Sequence, residues 1–91
     1  MAKEIKVHIT DPVGLYATPA TELVKAIKVF NCQVNLHYED KTVNMKSMMG
    51  VLSLGIPSQA IVSIMVEGPD EVAASDAIKK EVVSLNLGEI V

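Results

Sequence analysis

Val43-Asn44-Met45-Lys46-Ser47-Met48-Met49-Gly50-Val51-Leu52-Ser53-Leu54 decides the fold, and Gly14-Leu15-Tyr16-Ala17-Thr18-Pro19-Ala20-Thr21 decides the chemistry. In the first stretch a strand-like run gives way to a serine and then to closely spaced apolar residues. Serine is a favoured N-cap, because its oxygen accepts a backbone N–H that the first helical turn leaves unpaired. The segment therefore predicts a short helix opening at Ser47. Met48, Met49, Val51, Leu52 and Leu54 carry more apolar surface than one buried face of so short a helix absorbs. In the second stretch, Asp11-Pro12-Val13-Gly14 reads as a turn. A helix should follow, with Pro19 in its first turn, where a missing N–H costs nothing.

Outward from these stretches the pattern is regular. Ile5, Val7 and Ile9 alternate with Glu4, Lys6 and His8, a period of two that predicts a half-buried strand over 3–9. Ala20, Leu23, Val24, Ile27 and Phe30 form an apolar stripe at helical spacing, opposite Glu22, Lys25 and Lys28. Gln33 to Tyr38 and Lys41 to Met45 read as a hairpin with Glu39-Asp40 at its tip. Ala60 to Glu67 predicts a fourth strand, with Val62, Ile64 and Val66 inward and Ile61, Ser63 and Met65 outward beside Lys6, His8, Asn35 and His37. Ile61 and Met65 offer a weak contact patch for a partner or a second copy, or are ordinary surface residues. Asp70 should cap a last helix reaching about Leu85, with Val72, Ala74, Ile78, Val82 and Leu85 inward. The tail Leu87-Gly88-Glu89-Ile90-Val91 is expected to be loosely held.

Residues 1–91 are enough for one small domain. No apolar run approaches the ~20 residues that cross a bilayer, and the start lacks a secretory segment, so a soluble cytoplasmic protein is expected. A formal charge of −3 disfavours direct nucleic-acid binding, which needs a basic surface. Cys32 is the single cysteine, fits a reducing compartment, and is expected to pack half-buried rather than react.

The two stretches resemble the HPr family, small phosphocarrier proteins of the bacterial sugar phosphotransferase system and their regulatory relatives. The resemblance covers essentially the whole chain and is most specific around Ser47. It implies an α+β open-faced sandwich: a four-stranded antiparallel sheet in order 1-4-2-3 with three helices on one face. The family writes the second stretch Gly-(Ile/Leu)-His-Ala-Arg-Pro-Ala, in which the histidine carries the phosphoryl group and the arginine holds it. Here Tyr16 stands at the histidine position and Thr18 at the arginine position. A phenol, with its ordinary pKa near ~10, is almost wholly protonated at neutral pH. An aryl phosphate ester is also a poorer phosphoryl donor than a phosphohistidine. Threonine offers one neutral hydroxyl where arginine offers a two-pronged fork. No catalytic residue is therefore assigned.

Ser47 matches the family's regulatory phosphorylation segment, so the resemblance implies modification by the ATP-dependent HPr kinase/phosphorylase. The product would bind a transcriptional regulator of carbon catabolite repression, as in a Crh-like member lacking the active-site histidine. A phosphate on an N-cap adds nearly two negative charges beside unpaired N–H groups. Taken alone, without the flanking match, Ser47 reads as a plain cap. Tyr16, Thr18, Ala20, Met48, Met49 and Leu52 are the expected partner surface, with methionine flexible enough for several partners. Phosphotransferase components and a weak homodimer are further expected partners. His8 and His37, both on strands, are expected to be solvated or hydrogen-bonded, and no third ligand suggests a metal. No phosphate loop, nucleophile elbow or cofactor motif is present, so the chain does not read as an enzyme. Two other readings remain open: a phosphocarrier acting through an atypical residue, and a binding module that is never phosphorylated.

Overall fold

Period-two alternation places every other strand residue on one side of a sheet, and the register of the chain follows it. A computed structural model describes residues 2–91. The elements are β1 (Lys3–Ile9), α1 (Ala17–Ile27), β2 (Gln33–Tyr38), β3 (Lys41–Asn44), α2 (Met48–Ser53), β4 (Ile61–Glu67), α3 (Glu71–Ser84) and β5 (Gly88–Ile90). They form an antiparallel sheet in the order β3-β2-β4-β1-β5. Ile5 lies opposite Ile64, Val7 opposite Val62, Leu36 opposite Ile64 and Val34 opposite Val66. All of these are buried. Together with Leu23, Val24 and Ile27 of α1 and Ala74, Ile78 and Val82 of α3 they make one apolar core. The other face carries the pairs Lys6–Ser63, His8–Ile61 and His37–Ser63, as the alternation requires. Ile61 is 60% exposed there.

The four-stranded expectation is corrected by a fifth strand. The segment expected to hang loosely is bound by several independent contacts. Leu87 is 1% exposed in the core. Its carbonyl accepts from Thr10 N–H at 2.9 Å and Asp11 N–H at 3.0 Å, and Val91 N–H donates to the Lys6 carbonyl at 2.9 Å. β5 comes this close because Gly88 lies opposite Ile9, and a side chain at Gly88 would overlap the His8 carbonyl. The strand pairs with the free edge of β1, which four strands would leave open.

Two smaller expectations also change. Asp70 does begin α3, but its carboxylate makes no bond to that helix. It accepts instead from Asn31 N–H at 2.6 Å, and Asp70 N–H returns to the Asn31 carbonyl at 3.3 Å. The loop after α1 is thereby fastened to the start of α3. Val72, expected in the core, is 58% exposed, whereas Ser75 is buried in its place. At 100° per residue Val72 falls roughly a quarter-turn or more from the centre of the Ala74–Ser75–Ile78–Val82 stripe. The Ser75 hydroxyl has no partner among the described residues. A buried unpaired hydroxyl costs free energy, so Ser75→Ala should leave stability unchanged or raise it by up to about 1 kcal/mol. Urea titration measures this directly.

Candidate functional site

Proline at the third position of α1 and serine before α2 place the starts of both helices, and side-chain and backbone contacts then bring the two helices together. Tyr16 is the N-cap of α1, with an extended backbone, and its side chain makes no capping bond. Its carbonyl takes the first helical bond from Ala20 N–H at 3.1 Å. The N–H groups of Ala17 and Thr18 have no helical acceptor, as at any helix start, and no acidic residue lies in the first turn. Tyr16 is 40% exposed and Thr18 is exposed. The positive end of α1 thus faces solvent with a phenol and an aliphatic hydroxyl beside it. Neither supplies the imidazole that would attack a phosphoryl group at neutral pH.

Ser47 is the N-cap of α2, as the sequence predicts, and its Oγ accepts from Gly50 N–H at 3.3 Å. Ser47 is exposed to solvent. Along α2, Val51 and Leu54 are buried, Met48 is half-buried, Leu52 is 40% exposed and Met49 is 83% exposed. This division answers the excess of apolar residues in so short a helix: two go inward and two remain outside.

The link between the helices runs through Thr21, which sequence reasoning did not single out. Its hydroxyl donates to the Ala17 carbonyl at 2.7 Å and lies 3.8 Å from Met48 Sδ. Thr18 and Thr21 stand one turn apart, so they share a side of α1, and Met48 and Leu52 share a side of α2. A second tie joins the loops: Leu15 N–H donates to the Ile56 carbonyl at 3.0 Å. Gly14 makes that approach possible. Its φ is +87°, and a Cβ there would overlap the Ile56 carbonyl oxygen and Pro57. Gly14→Ala should therefore cost at least about 2 kcal/mol, from the left-handed backbone and the overlap together. A fall in the thermal midpoint reads it out.

One expected contact residue is corrected. Ala20 is 0% exposed, because it sits on the inward stripe of α1 with Leu23, Val24 and Ile27. It shapes the packing beneath the surface rather than reaching solvent. Lys46, also unremarked in the sequence, is tied away from Ser47: its Nζ donates to the Phe30 carbonyl at 2.7 Å. His8 and His37 lie on the open face, where His8 Nε2 pairs with Gln59 Oε1 at 2.9 Å and His37 Nδ1 with Thr42 Oγ1 at 2.6 Å. Among the described residues no cluster of three potential metal ligands occurs, and no helix is long and apolar enough to cross a membrane. Cys32 is half-buried, under the backbone of Gly68.

A family model described as the PTS HPr component phosphorylation site matches residues 3–83. The chain belongs to the HPr family. Solved structures agree. The histidine-containing phosphocarrier protein of Mycoplasma superposes with a TM-score of 0.92 at 31% identity, over 94% of this chain and 98% of that one. HPr-C-His from Thermoanaerobacter tengcongensis gives 0.84 at 35% identity, over 90% and 92%. Crh, the catabolite repression protein of Bacillus subtilis, solved as a swapped dimer, gives 0.71 at 33% identity, over 80% and 84%. The family consists of phosphotransferase-system phosphocarriers, proteins that pass a group on rather than turning over a substrate of their own.

Proposed function

We propose that this HPr-family chain is a cytoplasmic regulatory module of carbon catabolite control, phosphorylated on Ser47 and unable to carry phosphate at the histidine position. The observation that carries the reading is a contrast within one surface. Tyr16 at the start of α1 lacks a neutral-pH nucleophile, while Ser47 at the start of α2 is exposed, with its oxygen toward a backbone N–H. In the modification, the Ser47 oxygen forms a bond to the γ-phosphorus of ATP and the bond to the ADP oxygen breaks. The hydroxyl proton passes to a base on the kinase. The phosphate oxygens then replace Oγ as acceptors for the Gly50 N–H.

The partners of this reading are HPr kinase/phosphorylase and a catabolite-repression transcriptional regulator. Components of the phosphotransferase system and a weak homodimer complete it, the latter in line with the dimer described for Crh. Tyr16, Thr18, Met48, Met49 and Leu52 form the contact surface. Incubation with ATP and the serine kinase is expected to add one acid-stable phosphate, seen by intact mass, and Ser47→Ala should abolish it. An unmodified native chain would leave a binding module without phosphorylation.

A further inference from the structure

The chain has five methionines, and they differ in what can reach their sulfur. Met45 is 1% exposed and lies in the core. Met48 is half-buried, and its Sδ takes the Thr21 hydroxyl at 3.8 Å. Met65 is half-buried on the open sheet face, between Glu4 and Asn35 of the neighbouring strands. Met49 is 83% exposed. Met1 lies outside the described residues.

Met49 also stands where its chemistry matters most. It follows Ser47 by two residues, in a surface that carries no charge: Asp, Glu, Lys and Arg are absent from residues 12–21 and 47–60. The nearest cation in sequence, Lys46, is held against the Phe30 carbonyl. A protein that docks here gains affinity by burying apolar side chains and not through ion pairs. Leucine would serve such a contact equally well. Methionine alone adds a group that can be made polar and then restored.

We propose that Met49 is a reversible oxidation site, and that its sulfoxide blocks recognition of the Ser47 segment. A lone pair on Sδ attacks one oxygen of a peroxide, an S–O bond forms and the O–O bond breaks. The departing hydroxide takes a proton and leaves as water. Sulfur is oxidised by two electrons and the peroxide is reduced. A methionine sulfoxide reductase reverses the step, releasing the oxygen as water while two thiols become a disulfide. The new S=O is a strong acceptor, and burying it in an apolar contact without a donor is unfavourable. The fold itself is untouched, because so exposed a side chain contributes little to the core. The regulatory half of this proposal rests on the reading of Ser47 given above, whereas the choice of Met49 among the methionines does not.

Mild hydrogen peroxide followed by dithiothreitol tests both halves, since the thiol reductant returns Cys32 from its first oxidation products and leaves a sulfoxide in place. Fragment mass spectrometry should find Met49 oxidised at least about threefold faster than Met48 or Met65, with Met45 unoxidised. The oxidised chain should then take phosphate from ATP and the serine kinase about tenfold more slowly than the same chain untreated. Its thermal midpoint should not change, and methionine sulfoxide reductase should restore the rate. In Met49→Leu, treated and untreated samples should react alike, whatever their common rate. Met65→Leu should remain sensitive. Oxidation that reaches Met48 or Met65 first overturns the site. An oxidised chain phosphorylated at the untreated rate overturns the switch and leaves the Ser47 reading standing, and so does a loss that tracks a fall in the thermal midpoint. A kinase that leaves even the untreated chain unmodified overturns the Ser47 reading and the switch with it, while the order of oxidation still decides the site.

Discussion

The double variant Tyr16→His with Thr18→Arg is expected to accept a phosphoryl group from phosphoenolpyruvate through the general phosphotransferase enzyme, at a rate at least about a thousandfold above the native chain. The magnitude follows from the nucleophile. An imidazole attacks phosphorus at neutral pH and forms a labile N–P bond, whereas a phenol with no base beside it does not. The surroundings need no rebuilding. The start of α1 already leaves the Ala17 and Thr18 N–H groups without helical acceptors, and no carboxylate lies in its first turn. The cap residue is exposed, so a histidine there meets no steric barrier. An arginine two residues on adds paired donors for phosphate oxygens. The product should be acid-labile, as a nitrogen–phosphorus bond is, and rapid-quench mass measurement distinguishes it from an ester. A double variant as inert as the native chain would mean that other features of this surface, and not the two substitutions, have removed carrier activity.

Removing residues 87–91 should lower stability by about 3 kcal/mol or more, a large share of the whole stability of a domain of this size, which is of the order of 5–15 kcal/mol. Leu87 is fully inside the core and its carbonyl accepts two N–H groups from the loop after β1. Its loss opens a cavity beneath α3 and strands those donors. Leu87→Ala alone should cost about 2–5 kcal/mol, while Val91→Ala, at an exposed position, should cost almost nothing. Urea unfolding monitored by circular dichroism measures all three. A truncated chain within about 0.5 kcal/mol of the full one would restore the reading of a loose tail.

That tail also shows where sequence reading stops. β1, β4 and α1 are legible because each carries a pattern long enough to fix its period: Ile5-Val7-Ile9, Val62-Ile64-Val66, and Ala20-Leu23-Val24-Ile27 all face inward as read. Gly88-Glu89-Ile90 has three residues and no alternation, so its strand exists only because the free edge of β1 lies beside it. In α3 the difficulty is phase. Apolar residues occur on both sides of the helix, and only contact with α1 and the sheet decides that Ser75 goes in and Val72 stays out. Asp70 misleads for a related reason, since the backbone group it satisfies is 39 residues away.

At the site, the cap at Ser47 was legible from one residue and its followers, and so was the excess of apolar surface on α2, though not that Met49 is the residue left most exposed. The joining of the helices was not. Thr21 meets Met48 through a fold-dependent contact, and Gly14 meets Ile56 through another. Ala20 read as surface because the family motif runs through it, yet its place on the inward stripe buries it. A motif records what a loop and a helix start do together, and it does not separate the residues that touch a partner from those that hold the helix down.

The central claim is that Tyr16 leaves the start of α1 without a group able to take a phosphoryl group from the phosphoenolpyruvate-driven enzyme and hand it on. Its most direct test is to incubate the native chain with phosphoenolpyruvate and the general phosphotransferase enzyme, then to measure intact mass before and after mild acid. The account predicts an unchanged mass at both points. A single phosphate that appears quickly, vanishes in acid and passes to a downstream transport subunit would contradict it.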